Sequence, residues 1–305
     1  MPFAREFKAS RVPRRAWRGA GFDGTPRAAY PWAMRALRLI VFTLCVTAQA
    51  ALAEPGSEAE PGEPSAERGV CPEDTTRVLL AGSSTMGSPL GGMLDKALSR
   101  LGHVVTRRVK ASSGLARPDF FDWKVELERS LAEHDPHIVV LQLGSNDFQP
   151  IRFAERESAR QAQAGRPIVK RHSPLWPEIY GQRVDELLEV IGPERLVIWV
   201  GAYAFWGDNA LEQGPLIEEV VADRLGSHVA RGGHARYLSA WRETFDPRHG
   251  PLMERRLPGR GRGLVPIRAN DRIHLNVLAV ELLLRDPVLA DIAACREPLE
   301  ERVSR

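Results

Sequence analysis

Residues 77–87 read RVLLAGSSTMG, and the fold is decided there. Val78, Leu79, Leu80 and Ala81 form a short unbroken apolar run, the pattern of a strand buried on both faces. The run stops at Gly82, Ser83, Ser84 and Thr85. Helical spacing then opens at Leu90 and continues through Leu94, Ala97, Leu98 and Leu101. A buried strand that turns through small polar residues into a helix leaves backbone N–H groups pointing out above the turn. This stretch alone allows two readings. Ser83 or Ser84 caps the helix, or one of them is a nucleophile on a strand–turn–helix elbow.

The rest of the chain repeats the pattern. Residues 103–109 (HVVTRRV) alternate like a second strand, and residues 137–143 (HIVVLQL) form a third buried one that ends at Gly144-Ser145-Asn146-Asp147. Residues 196–200 (LVIWV) and 236–240 supply a fourth and a fifth. Helical spacing occupies residues 121–131, 176–191, 216–229 and 275–294. Strands alternating with helices predict one three-layer α/β/α sandwich, with a central parallel sheet of about five strands. Ligands of such sheets sit beyond the carboxyl ends of the strands. Ser84, Gly114, Asn146 and the Phe205-Trp206 loop all follow strands closely, so they are expected on one rim. The polar insertion at 148–174, with six Arg and Lys, and the Gly/Arg-rich stretch at 255–268 read as loops.

The formal charge of +3 over 305 residues is unevenly placed. Residues 1–53 hold nine basic and two acidic residues, which leaves 33 basic against 37 acidic in the remainder. A mildly acidic body argues against nucleic acid as a partner. Residues 1–33 are rich in Arg, Gly and Pro without periodicity, and read as disordered ahead of a true start at Met34. Arg35 and Arg38 then precede the apolar run LIVFTLCV, and Ala51-Leu52-Ala53 gives a small-x-small cleavage pattern. Residues 34–53 therefore read as a signal peptide cleaved near Ala53, which implies a periplasmic or secreted protein. The run is shorter than the ~20 residues of a spanning helix. Membrane contact is expected only through an uncleaved leader. Residues 54–70 are an acidic Pro/Gly linker, 71–296 the domain, and 297–305 a tail.

Acyl transfer by serine needs a nucleophile, a base, an orienter for the base, and donors for the oxyanion. Asp271-Arg272-Ile273-His274 offers a carboxylate and an imidazole three residues apart, close enough for the acid to hold a ring N–H and set its tautomer. Asn146 can offer a side-chain amide and Gly114 an unhindered backbone N–H; their plain readings are a turn residue and a loop glycine. His172, His234 and His249 lack ligand spacing to one another or to cysteine, so no metal site is expected.

Gly82-Ser83-Ser84, Gly114, Gly144-Ser145-Asn146-Asp147 and Asp271-Arg272-Ile273-His274 together resemble the SGNH (GDSL-type) hydrolase superfamily, over about residues 76–294. The stretches ASSGLARPDFFDW, LQLGSNDFQ and LWPEIYGQRVDELLEVI look like a periplasmic bacterial branch of it with poorly known substrates. The resemblance implies a flavodoxin-like sandwich, with Ser84 as nucleophile, His274 as base and Asp271 as its orienter. It implies an oxyanion hole made by the Ser84 and Gly114 N–H groups and the Asn146 amide, and no cofactor. Ser83 stands where that superfamily usually has Asp, and Arg272 replaces a commonly small residue and would bring positive charge to the pocket mouth. The expected activity is removal of O-acyl, chiefly O-acetyl, groups from an envelope or extracellular glycan. The alternatives are an O-acetyltransferase using the same acyl-enzyme and a non-catalytic glycan-binding module. Phe120, Phe121, Trp123 and Trp206 can stack a sugar ring or simply pack. Cys71 and Cys295 flank the domain at its two ends. In an oxidising compartment they are expected to form a disulfide.

Overall fold

The structure, a computed structural model, describes residues 76–154, 157 and 168–295. Residues 1–75, on which the start, leader, linker and Cys71 readings fall, and the tail after Cys295 lie outside the described residues. Strands β1 (Arg77–Gly82), β2 (Val104–Val109), β3 (Ile138–Gln142), β4 (Leu196–Val200) and β5 (His234–Leu238) form one parallel sheet in the order β2-β1-β3-β4-β5. Its helices are α1 (Ser84–Gly87), α2 (Leu90–Arg100), α3 (Trp123–His134), α4 (Leu175–Ile191), α5 (Asp208–Ala230), α6 (Ala240–Thr244) and α7 (Val277–Val280). A π-helical turn (Glu281–Arg285) joins α7 to α8 (Asp286–Ala294).

The period of two in the strands sorts their side chains onto two cores. Leu79, Ala81, Val139, Leu141, Val197 and Trp199 pack against Trp123 and Leu127 of α3, Trp176, Tyr180 and Val184 of α4, and Ile217 and Val221 of α5. Val78, Leu80, Ile138, Val140, Leu196 and Ile198 pack against Leu90, Leu94 and Leu98 of α2 and against Leu284, Val288 and Ile292 near the C-terminus. Both faces of the central strands are dry, which is why they read as unbroken apolar runs. The protein is the expected three-layer sandwich.

Several boundaries differ from the sequence reading. Helix α5 begins eight residues before 216 and carries Pro215 inside it. Proline deletes one helical hydrogen bond, but burial of Ala210, Gln213 and Gly214 carries the helix through. The fifth strand ends at Leu238, and Ala240 already belongs to α6. Two hairpins, β6 (Phe245–Asp246) with β7 (Gly250–Pro251) and β8 (Glu254–Arg255) with β9 (Val265–Pro266), organise a stretch read largely as loop. Strands of two residues are too short to show a period. No helix of the described residues is long and apolar enough to cross a membrane.

Cys295, at the end of α8, is 1% exposed and disulfide-bonded. Non-reducing peptide mapping is expected to join it to Cys71. A Cys295 peptide that alkylates without reduction contradicts that pairing. Breaking so long a loop is expected to cost at most about 5 kcal/mol in urea unfolding.

Candidate active site

Strand order makes the site. The chain runs from β1 out to β2 on one side and returns to β3 on the other, so a crevice opens above the adjacent carboxyl ends of β1 and β3. Gly82 is in register with Gln142. The next residue, Ser83, donates its N–H to the Gln142 carbonyl at 3.2 Å and its hydroxyl to Gln142 Oε1 at 2.9 Å. Ser83 is thus buried and committed to the sheet, and it makes no capping bond to α1. Ser84 opens α1, half-buried, with Oγ 3.4 Å from His274 Nε2. That separation is slightly loose, as nucleophile–base pairs are before substrate tightens them.

His274 sits on a tight loop between β9 and α7. Its Nδ1 lies 2.6 Å from Asp271 Oδ2, while Asp271 Oδ1 accepts the N–H groups of Ile273 and His274 at 2.9 and 3.0 Å. Those bonds, the one to the imidazole first, hold the Asp271 carboxyl down at about 2, so it is ionised at neutral pH. An anion at Nδ1 keeps the proton on that nitrogen and leaves Nε2 free to accept from Ser84. Ser84, His274 and Asp271 therefore stand in line. Tyr203 closes one flank: its ring is 6.3 Å from that of His274, and its hydroxyl accepts from Thr85 Oγ1 at 3.4 Å.

Asn146 donates one amide hydrogen to the Ser113 carbonyl at 3.0 Å. This bond couples the loop after β3 to the loop that carries Gly114. Asp147 strengthens the coupling. It is wholly buried, accepting from Ala116 N–H at 2.7 Å, from the Leu115 N–H, and from the Tyr180 hydroxyl at 3.0 Å. A Cβ on residue 114 would lie 2.2 Å from Asp147 Oδ1, so only glycine fits there. Burial pushes the Asp147 carboxyl up to about 6, and the Ala116, Leu115 and Tyr180 bonds oppose that rise.

The aromatic candidates separate. Trp123 is 2% exposed and donates its indole N–H to Ser113 Oγ at 3.0 Å, bracing the Gly114 loop from behind instead of offering a face. Phe121 packs edge-on against it, 4.9 Å between centroids. Phe120 and Trp206 are exposed, at 49% and 56%. Arg272 is exposed at the tip of the loop that carries His274, with φ 62°. Asp147, Tyr180, Tyr203 and Arg268 are site residues to which the sequence reading assigned no role. The available signal was position: Asp147 closes the recognised block Gly144-Ser145-Asn146-Asp147, and Arg268 lies three residues before Asp271. Among the described residues no group of three or more His, Cys, Asp or Glu is placed to hold a metal ion.

The order β2-β1-β3-β4-β5 with a Ser–His–Asp line above β1 and β3 defines an SGNH-type α/β fold. The chain belongs to the family described as "Protein of unknown function (DUF459)", an SGNH-hydrolase-like family whose model matches residues 77–288. No curated protein matches it in sequence. Among solved structures it is similar to the lipase Lip_vut3 from goat rumen metagenome, at 13% identity over 71% of this chain and 97% of that one, with a TM-score of 0.36. It is also similar to an active-site mutant of a family two carbohydrate esterase from Clostridium thermocellum, at 11% identity over 72% of this chain and 64% of that one, with a TM-score of 0.40.

The raised Asp147 carboxyl has a stability consequence. Its native value lies above the ordinary 3.8, so the folded state binds the proton more tightly. The stabilisation is complete below pH about 4 and is lost as pH rises through about 6. Relative to Asp147→Asn, the wild type is expected to lose on the order of 3 kcal/mol between pH 4 and 7 in urea unfolding. A pH-independent difference between the two proteins contradicts this.

Proposed function

We propose that the protein is a serine esterase that removes O-acyl, chiefly O-acetyl, groups from an envelope or extracellular glycan. One observation carries the reading: Ser84 Oγ faces His274 Nε2 while Asp271 holds Nδ1. Ser84 Oγ attacks the ester carbonyl carbon and its proton passes to His274 Nε2. The oxygen that becomes negative is received by the Ser84 and Gly114 N–H groups and the second Asn146 amide hydrogen. Collapse expels the sugar alcohol, which takes the proton from His274. Water then attacks the acyl-enzyme with His274 as base, and the acid leaves.

The His274 side chain is 44% exposed and that of Asp271 47%. Open access for water at the base supports hydrolysis over transfer to a second sugar. Among the described residues, Trp206 and Phe120 are the large exposed aromatics of the strand-end loops. Trp206 packs over Gly250, where a Cβ would meet the ring at 2.8 Å. Such a flat apolar surface suits the face of a sugar ring. The leader-like sequence of residues 34–53 supports a periplasmic or secreted setting for this activity.

Ser84→Ala and His274→Ala are expected to abolish turnover of a small aryl acetate while circular dichroism stays unchanged. Wild-type rates in Ser84→Ala contradict the assignment. Asn146→Ala is expected to raise the barrier by about 3–4 kcal/mol, chiefly in kcat. An effect confined to KM would make Asn146 a substrate-binding residue instead. With acetylated oligosaccharide and a free acceptor, free acetate is the expected product, and acetylated acceptor would identify a transferase.

A further inference from the structure

We propose that Arg268 is a positioning residue that locks the base-bearing loop against the loop after β4 and so keeps His274 in line with Ser84. The proposal rests on reading Ser84 and His274 as an acyl-transfer pair. Arg268 is 7% exposed, and its guanidinium meets backbone carbonyls rather than a carboxylate. Nε donates to Leu252 at 2.8 Å and Nη1 to Ile273 at 3.0 Å, while Nη2 donates to Ala204 and to Thr244. These carbonyls come from three parts of the chain. Ala204 follows the Tyr203 that flanks His274, Thr244 and Leu252 border the β6–β7 hairpin, and Ile273 immediately precedes His274.

The Ile273 contact is the informative one. The peptide plane between Ile273 and His274 is gripped at both ends, its carbonyl by Arg268 and its N–H by Asp271 Oδ1. On the other side of His274, its own carbonyl accepts the Ala269 N–H at 2.8 Å. With both flanking peptide groups held, the imidazole keeps only its side-chain torsions, and the Asp271 contact at Nδ1 fixes the ring. A guanidinium is the side chain that can do this. It offers five N–H donors in a rigid planar fork, whereas an ammonium offers three from a single point. A buried cation costs stability unless its donors are satisfied. Its satisfaction here by backbone from three segments means that the loop cannot shift without stranding the charge. The Asp271 carboxylate and Tyr203 help to keep the guanidinium charged against burial.

The test compares wild type, Arg268→Lys and Arg268→Ala by aryl acetate kinetics, urea unfolding and proton NMR of the low-field His274 Nδ1–H. A protected low-field proton is expected in wild type. In folded Arg268→Lys that signal is expected to be lost and kcat to fall ten- to a hundredfold, with KM within twofold. Millimolar guanidinium is expected to restore part of the signal and rate in Arg268→Ala, and methylammonium neither. A folded variant with kcat within twofold of wild type overturns the proposal. So does a rate loss that follows stability alone while the low-field proton persists. If both variants unfold, failure of guanidinium to refold Arg268→Ala, or a wild type lacking the protected proton, overturns it as well. A wild type that shows this proton but neither turns over the ester nor reacts with a fluorophosphonate would count against the esterase reading and leave the positioning intact.

Discussion

A charge buried away from water must be satisfied by the groups around it, or it neutralises or moves. The structure uses this constraint twice, with opposite signs. Asp147 is an anion satisfied by the N–H groups of Leu115 and Ala116 and by the Tyr180 hydroxyl. Arg268 is a cation satisfied by the carbonyls of Leu252, Ile273, Ala204 and Thr244. The reaction we propose draws on neither charge. Each instead gathers backbone from separate loops, and the loops so gathered carry Gly114 and Asn146 on one side and His274 on the other. Ser84 stands between them on a turn fixed by the sheet itself.

This division explains an open site on a rigid base. Strands β3 and β4 below the rim are wholly buried, and Ser83 is tied to β3 by two bonds to Gln142. The Asp271–His274 pair above is nearly half exposed. Such a base can stay open to solvent because its geometry is held by the backbone beneath it, through the Ile273–His274 peptide plane, and not by a closed pocket around the ring.

Much of this was legible in the sequence, for identifiable reasons. The parallel sheet declared itself because strands dry on both faces lose the usual polar alternation, as LVIWV at β4 shows. Ser84, Asn146 and His274 were legible as members of ordered blocks. Asp-x-x-His spacing alone would have misled. Asp246 and His249 repeat it with a 3.0 Å contact on the β6–β7 hairpin, yet the hydrogen-bond partner of that imidazole among the described residues is Asp246 alone. What stayed hidden were interactions between side chains and distant backbone. A composition rich in Gly and Arg describes a solvated loop equally well whether or not one arginine turns inward, and Arg268 does. Trp123 failed as a stacking candidate for a related reason, since an aromatic in a loop sequence carries no mark of which way it points. The helix read from 216 begins at Asp208, because tertiary packing carries it through Pro215.

The central claim is that Ser84 is an activated nucleophile, made so by His274 and Asp271. Labelling with a fluorophosphonate probe, followed by mass mapping of the modified peptide, tests it most directly because it needs no knowledge of the natural substrate. One adduct is expected, on Ser84, formed in wild type and absent from His274→Ala. An unlabelled wild-type protein, or an adduct on any other residue, would contradict it.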